Sequence, residues 1–175
     1  KTWYSPPEII AMVHVSGLIQ SFDDTGSSTV NVCEPDSLVE GIKGLVKDRA
    51  VKGIILRINS PGGTEVGSDK IWRAVSEASK EKPVVASMSN TAASGGYSVA
   101  MGARKVIAEP GTITGSIGVL AGKFRVDKLA ERIGAKTQSL DRGKHAGITS
   151  PTRAFTEEEK NLLREELEEF YQTFL

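Results

Sequence analysis

The chain has 175 residues, 39% of them hydrophobic and 25% charged, which is the composition of one globular domain with an ample core. Lys and Arg total 22, as do Asp and Glu, so there is neither the basic field of a nucleic-acid binder nor an acidic field for a cationic partner. The single cysteine, Cys33, excludes an internal disulfide framework and reads as a packed side chain, and no apolar run reaches the roughly 18 residues needed to span a bilayer. In chain order, EIIAMVHVSG is a short β-rich run ended by Gly17, and SFDDTGSSTVNVCEP is polar and loose. A helix is expected from Ser37, with Leu38, Ile42, Leu45 and Val46 on one face and Ser37 and Glu40 in capping-box spacing. GIILRI (53–58) reads as a buried strand broken by NSPGG, and the next segment is amphipathic, with Ile71, Val75 and Ala78 on one face. PVVASMS (83–89) and KVIA (105–108) are further strands, separated by a short helix expected from about Gly95 to Met101. After the Gly/Thr-rich EPGTITGSIGVLAG, VDKLAERIG reads as a helix stopped by Gly134 and KTQSLD as a short strand. The last helix opens at Thr156 with Glu159 in capping-box register and carries Leu163, Leu167, Phe170 and Phe174 along one stripe. Strands alternating with helices predict an α/β fold whose sheet is mainly parallel and covered by helices.

Two glycine-rich turns leave two of these strands at their carboxyl ends, where α/β proteins gather their ligands. These are NSPGG after 53–58 and NTAASGG after 83–89. Paired glycines let backbone amides face a concavity with no Cβ in the way, a geometry suited to an anion or a developing oxyanion. Ser94 lies between such a turn and the start of a helix. On local pattern alone it reads equally as a helix cap or as a nucleophile.

RINSPGG, then AASGGY, then TITGSIGV, in that order, resemble the signal peptide peptidase A group of serine proteases, peptidase family S49. The resemblance runs from IAMVHVSGLI to SPTRAFTEEEK. It implies the ClpP/crotonase-like fold of repeated ββα units over the single domain 1–175, and a Ser/Lys dyad whose nucleophile is Ser94. The oxyanion donors it implies are the N–H groups of Gly63 and Gly95, with Ser89 and Ser98 structural. It calls for no cofactor and no metal. It implies apolar peptide substrates such as cleaved signal peptides, a homo-oligomer, and a membrane-associated enzyme with its catalytic domain outside the cytoplasm. Ile117, Val119 and Leu120 are candidates for subsite walls and could equally be core.

The general base is the open question. Of the two histidines, His14 falls in the first strand as a core or edge residue, and His145 adjoins Lys144. The family's dyad lysine lies in a motif resembling G-K-Y-K-D shortly before Ser-Pro; the matching stretch here is RGKHAGITSP. Lys144 then matches the first lysine, and Ala146 stands where the catalytic one belongs. Three readings stay open. The chain is the C-terminal half of a duplicated member whose other half supplies the lysine, or Lys144 reaches the serine through a shifted loop, or alanine has replaced the lysine. Two other classes are weighed beside the protease: a crotonase-type acyl-CoA enzyme, and a non-catalytic half that binds peptides or partners.

Overall fold

The computed structural model describes residues 7–20 and 31–175; most of the loose stretch after Gly17 lies outside them. The chain divides into two compact units, Lys1–Ile117 and Gly118–Leu175. In the first, β1 (Ile9–Ser16) is followed by the short strands β2 (Leu18–Ile19) and β3 (Val32–Cys33), then by α1 (Pro35–Lys47) and β4 (Val51–Ser60). Next come α2 (Glu65–Glu81), β5 (Val84–Ala93), α3 (Gly95–Met101), β6 (Lys105–Ile107) and β7 (Ile113–Gly115). The main sheet runs β1-β4-β5-β6 with β7 also on β5, and every pairing is parallel. Each step between neighbouring long strands passes through a helix, because a parallel neighbour cannot be reached by a tight turn.

The helices cover one face of this sheet. Val15, Leu56, Ile58, Ala86 and Met88 form one buried cluster with Ile42 of α1, Ile71, Val75 and Ala78 of α2, and Val99 of α3. The alternate residues of β1, Ile10, Met12 and His14, point the other way and are exposed. That settles His14 as a solvent-facing residue of an edge strand. Cys33 is buried, and burial pushes its thiol pKa up. Lys82 ties elements together: its Nζ donates to the carbonyls of Leu45 (2.8 Å), Asp48 (2.5 Å) and Val51 (2.8 Å), satisfying the orphan end of α1.

Several boundaries differ from expectation for identifiable reasons. α1 starts earlier, because Pro35 suits the first helical position and the Glu34 carboxylate accepts from Asp36 N–H (3.1 Å) and Ser37 N–H (2.6 Å). Ser37 is therefore inside the helix and not its cap. β5 runs on to Ala93, so Ser89 is mid-strand. Between the pairs Ile58↔Met88 and Ser60↔Ala92, β4 advances two residues while β5 advances four, a bulge just before Ser94. β7 arises inside the Gly/Thr-rich passage, where its three residues pair with Thr91–Ala93.

The second unit contains α4 (Asp127–Arg132) and α5 (Glu157–Phe174). Gly134, at φ +72°, follows α4 as expected. KTQSLD forms no strand; these six residues are exposed and join no strand pairing among the described residues. The expected box at α5 is present: Thr156 Oγ1 accepts from Glu159 N–H at 3.1 Å and Glu159 Oε2 from Thr156 N–H at 2.8 Å. Arg153 grips the same carboxylate at 2.7 and 2.6 Å. Among the described residues no helix is long and apolar enough to cross a membrane.

Candidate active site

Ser94 occupies the turn between β5 and α3 at φ 49° and ψ −122°. This is a conformation that glycine adopts freely and L-residues avoid, at a cost of about 1–3 kcal/mol. It follows a strand and opens a helix, the kind of strained strand-to-helix turn that presents the serine hydroxyl in α/β-hydrolases. The simple cap reading fails on one point. Ser94 is the first residue before α3, yet its side chain makes no capping hydrogen bond. Its backbone is tied on both sides instead: Ser94 N–H donates to Gly115 O (2.9 Å) and Ser94 O accepts from Ser98 N–H (3.0 Å).

The small residues around Ser94 are there because nothing larger fits. A Cβ on Gly95 would lie 2.0 Å from Ser68 Oγ, and one on Gly96 would lie 2.8 Å from Ser60 O. Gly62 is at φ +103°, and a Cβ there would fall 2.7 Å from Gly95 N and 2.9 Å from Ser94 Cβ. The structure thus brings the 60–63 loop directly against the 93–95 turn. Gly63 forms an isolated parallel bridge with Ile19: Ile19 N–H donates to Gly62 O (2.9 Å) and Thr64 N–H to Ile19 O (2.8 Å). That pattern leaves the N–H groups of Gly63 and Gly95 without an acceptor among the described residues. Gly95 N–H adjoins Ser94, and Gly63 N–H belongs to the loop packed on that turn; amides free in this way can polarise a carbonyl and hold the oxyanion formed when it is attacked.

The supporting polar groups are less visible in the sequence. Ser60 is buried and hydrogen-bonds Gly17 O and Gly62 N–H. Thr114 Oγ1 donates to Ala92 O at 2.8 Å, and Asn59 Oδ1 accepts from Thr91 N–H at 3.3 Å across the bulge. Ser116, exposed and at φ 53°, is the other non-glycine at positive φ among the described residues, one residue beyond the carbonyl that holds Ser94. A serine after Gly115 and a serine before a proline give no sequence signal of these contacts. Ser89 Oγ accepts from Arg57 Nη2 at 3.1 Å, and Ser98 lies within α3, so both serve structure.

Lys144, Ala146 and His145 belong to the second unit. There RGKHAGITSP folds as successive turns, with Gly143 at φ +111° and Ala146 N–H donating to Gly143 O at 3.3 Å. Lys144 is exposed and paired with Glu158, whose carboxyl pKa is lowered chiefly by that hydrogen bond. His145 is half-buried, with Nε2 3.9 Å from Glu158 Oε1. Ile117 and Leu120 are exposed, Leu120 almost fully at 91%. In the first unit a groove of about 500 Å³ lies between α1 and α2, floored by Val39, Ile42, Val46, Ala74 and Ala78; it contains no residue of the serine turn. Among the described residues no cluster of His, Cys, Asp and Glu could hold a metal ion.

The sequence profile of peptidase family S49 matches residues 76–175, which include β5, Ser94 and all of the second unit. The chain belongs to that family. It is 37% identical to the chloroplastic serine protease SPPA of Arabidopsis thaliana over 94% of its own length, and 33% identical to protease 4 of Salmonella typhi over 95%. It spans only 24% and 26% of those two proteins. Among solved structures, a mutant of the 1510-N membrane-bound stomatin-specific protease superposes with a TM-score of 0.54 at 18% identity, over 74% of this chain and 66% of the other. That likeness shows a shared ClpP/crotonase-like fold for this S49 chain.

Proposed function

We propose that this chain is the nucleophile-bearing part of a serine endopeptidase that uses a Ser/Lys dyad to cleave apolar peptides, released signal peptides among them. The observation that carries the proposal is Ser94: a strained serine that caps nothing, next to Gly95 and under the 60–63 loop, whose Gly63 N–H, like that of Gly95, has no acceptor among the described residues. In the proposed reaction Ser94 Oγ bonds to the scissile carbonyl carbon while its proton passes to a neutral lysine amine. The carbonyl oxygen, now negative, is held by the N–H groups of Gly63 and Gly95. The C–N bond then breaks, the lysine returns the proton to the leaving amine, and water releases the acyl group from Ser94 by the same route.

Lysine works as a base only when burial has brought its pKa from about 10.4 towards 7–8. Lys144 is exposed and ion-paired with Glu158, not buried. We therefore favour the reading in which the base comes from another part of the longer protein. The chain's span of about a quarter of the Arabidopsis and Salmonella proteins supports that reading. From the family resemblance we place the enzyme at the cell membrane with its catalytic part outside the cytoplasm, assembled as an oligomer.

The test is hydrolysis of apolar fluorogenic peptides by the full-length protein. Ser94→Ala is expected to lower kcat at least about 10³-fold, the scale lost when a covalent nucleophile is removed. Activity should rise with pH through the lowered lysine pKa, since only the neutral amine takes a proton. Undiminished cleavage by Ser94→Ala overturns the proposal.

A further inference from the structure

We infer that Ser60 is a positioning residue for the proposed hydrolysis, one that fixes the separation and aim of the two oxyanion amides. The inference rests on the serine-peptidase reading above. Ser60 ends β4 with none of its surface exposed, and its hydroxyl is committed twice. Oγ donates to Gly17 O at 2.6 Å and accepts from Gly62 N–H at 3.1 Å. The first bond pins the glycine loop to the end of β1, and the second closes the turn in which Gly62 stands at φ +103°.

The orientation of Gly63 N–H follows from the planarity of the peptide that joins it to Gly62. In a trans peptide the carbonyl oxygen and the N–H point in opposite directions. Gly62 O faces Ile19, whose N–H it accepts at 2.9 Å, so the Gly63 N–H must face away from Ile19. Ile19 N–H holds that plane from one side, while Ser60 Oγ fixes the peptide just before it through Gly62 N–H and lies 3.5 Å from Gly62 O itself.

The second amide rests on the same residue by a different route. Gly96 packs on the Ser60 backbone so closely that a Cβ would fall 2.8 Å from Ser60 O and 3.2 Å from Ser60 Cβ. The first turn of α3, with Gly95 N–H at its head, is thereby seated on Ser60. One residue holds the loop donor through its hydroxyl and the helix donor through its backbone. Alanine keeps the backbone seat and removes the hydroxyl latch, leaving Gly17 O and Gly62 N–H unpaired beneath the site.

Loss of the latch therefore acts on the oxyanion and not on peptide binding. In the full-length protein, Ser60→Ala is expected to lower kcat about 10- to 100-fold, the lower part of the range for losing or misplacing an oxyanion donor, with KM within about threefold. A peptide aldehyde, whose adduct with the serine carries the same oxyanion, should lose affinity by a similar factor. A non-cleavable peptide of the same sequence should bind as before. A purely structural role predicts another pattern, in which destabilisation reduces the number of active molecules but leaves the aldehyde inhibition constant unchanged. That pattern, or wild-type kcat in folded Ser60→Ala, overturns the inference. Ser60→Cys, a weaker donor that fills the same space, covers the case in which alanine does not fold: its kcat should fall between the two, and wild-type values would again count against Ser60. Failure of the wild-type protein to cleave, or cleavage by Ser94→Ala, would instead refute the underlying serine reading.

Discussion

At Ser94 the backbone works against stability, because serine at φ 49° and ψ −122° occupies a region that only glycine enters without penalty. Strain of this kind persists only where its surroundings impose it. Here they are the Gly115 carbonyl on Ser94 N–H and the close approach of Gly62. Ser94→Gly should therefore stabilise the fold by about 1 kcal/mol, a rise of roughly 2–4 °C in Tm, while removing all serine-dependent activity. Calorimetry of the two proteins checks it; an unchanged or lower Tm would mean the turn is not strained. The run of small residues around Ser94 could be read in the sequence because close approach demands glycine and alanine. The positive φ could not, since serine is no marker for it. Ser60 was hidden for a similar reason: a serine before proline reads as an extended connector, and its two partners are backbone atoms, one of them far off in the chain at Gly17.

Elements were legible where their signals are local. The box at α5 needs only Thr156 and Glu159, three residues apart, and it formed as read. The same spacing at Ser37 and Glu40 lost to Pro35 and the Glu34 carboxylate, two and three residues before Ser37. Strands that depend on distant partners were the least legible: β7 exists because β5 offers it an edge, whereas KTQSLD finds none. The α5 box also carries a pH dependence. Arg153 first, then the Thr156 N–H, lower the Glu159 carboxyl pKa from 4.5 to about 2. A carboxylate depressed in the folded state contributes stability that is complete above its unfolded pKa and is lost as pH falls through the folded one. The start of α5 should thus hold down to pH of about 5 and loosen between there and about 2. Hydrogen exchange at the first turn of α5 across that range reads it directly. Glu159→Gln should flatten the dependence, and an identical profile in that variant would show that other carboxylates govern it.

For the molecule as a whole, alternating strands and helices were enough to predict a parallel sheet, because crossovers leave few other topologies. They did not reveal that α1, α2 and α3 lie on one face of it, nor that the chain divides into two units, with Ser94 in the first and Lys144 in the second. The central claim is that Ser94 is the nucleophile of a serine peptidase. The measurement that tests it most directly is fluorophosphonate labelling of the folded full-length protein, with the modified residue located by peptide mass spectrometry. The expected result is one adduct per chain, on Ser94, absent in Ser94→Ala and after unfolding. An adduct on another serine such as Ser116, or none on protein that cleaves peptides, would contradict the claim.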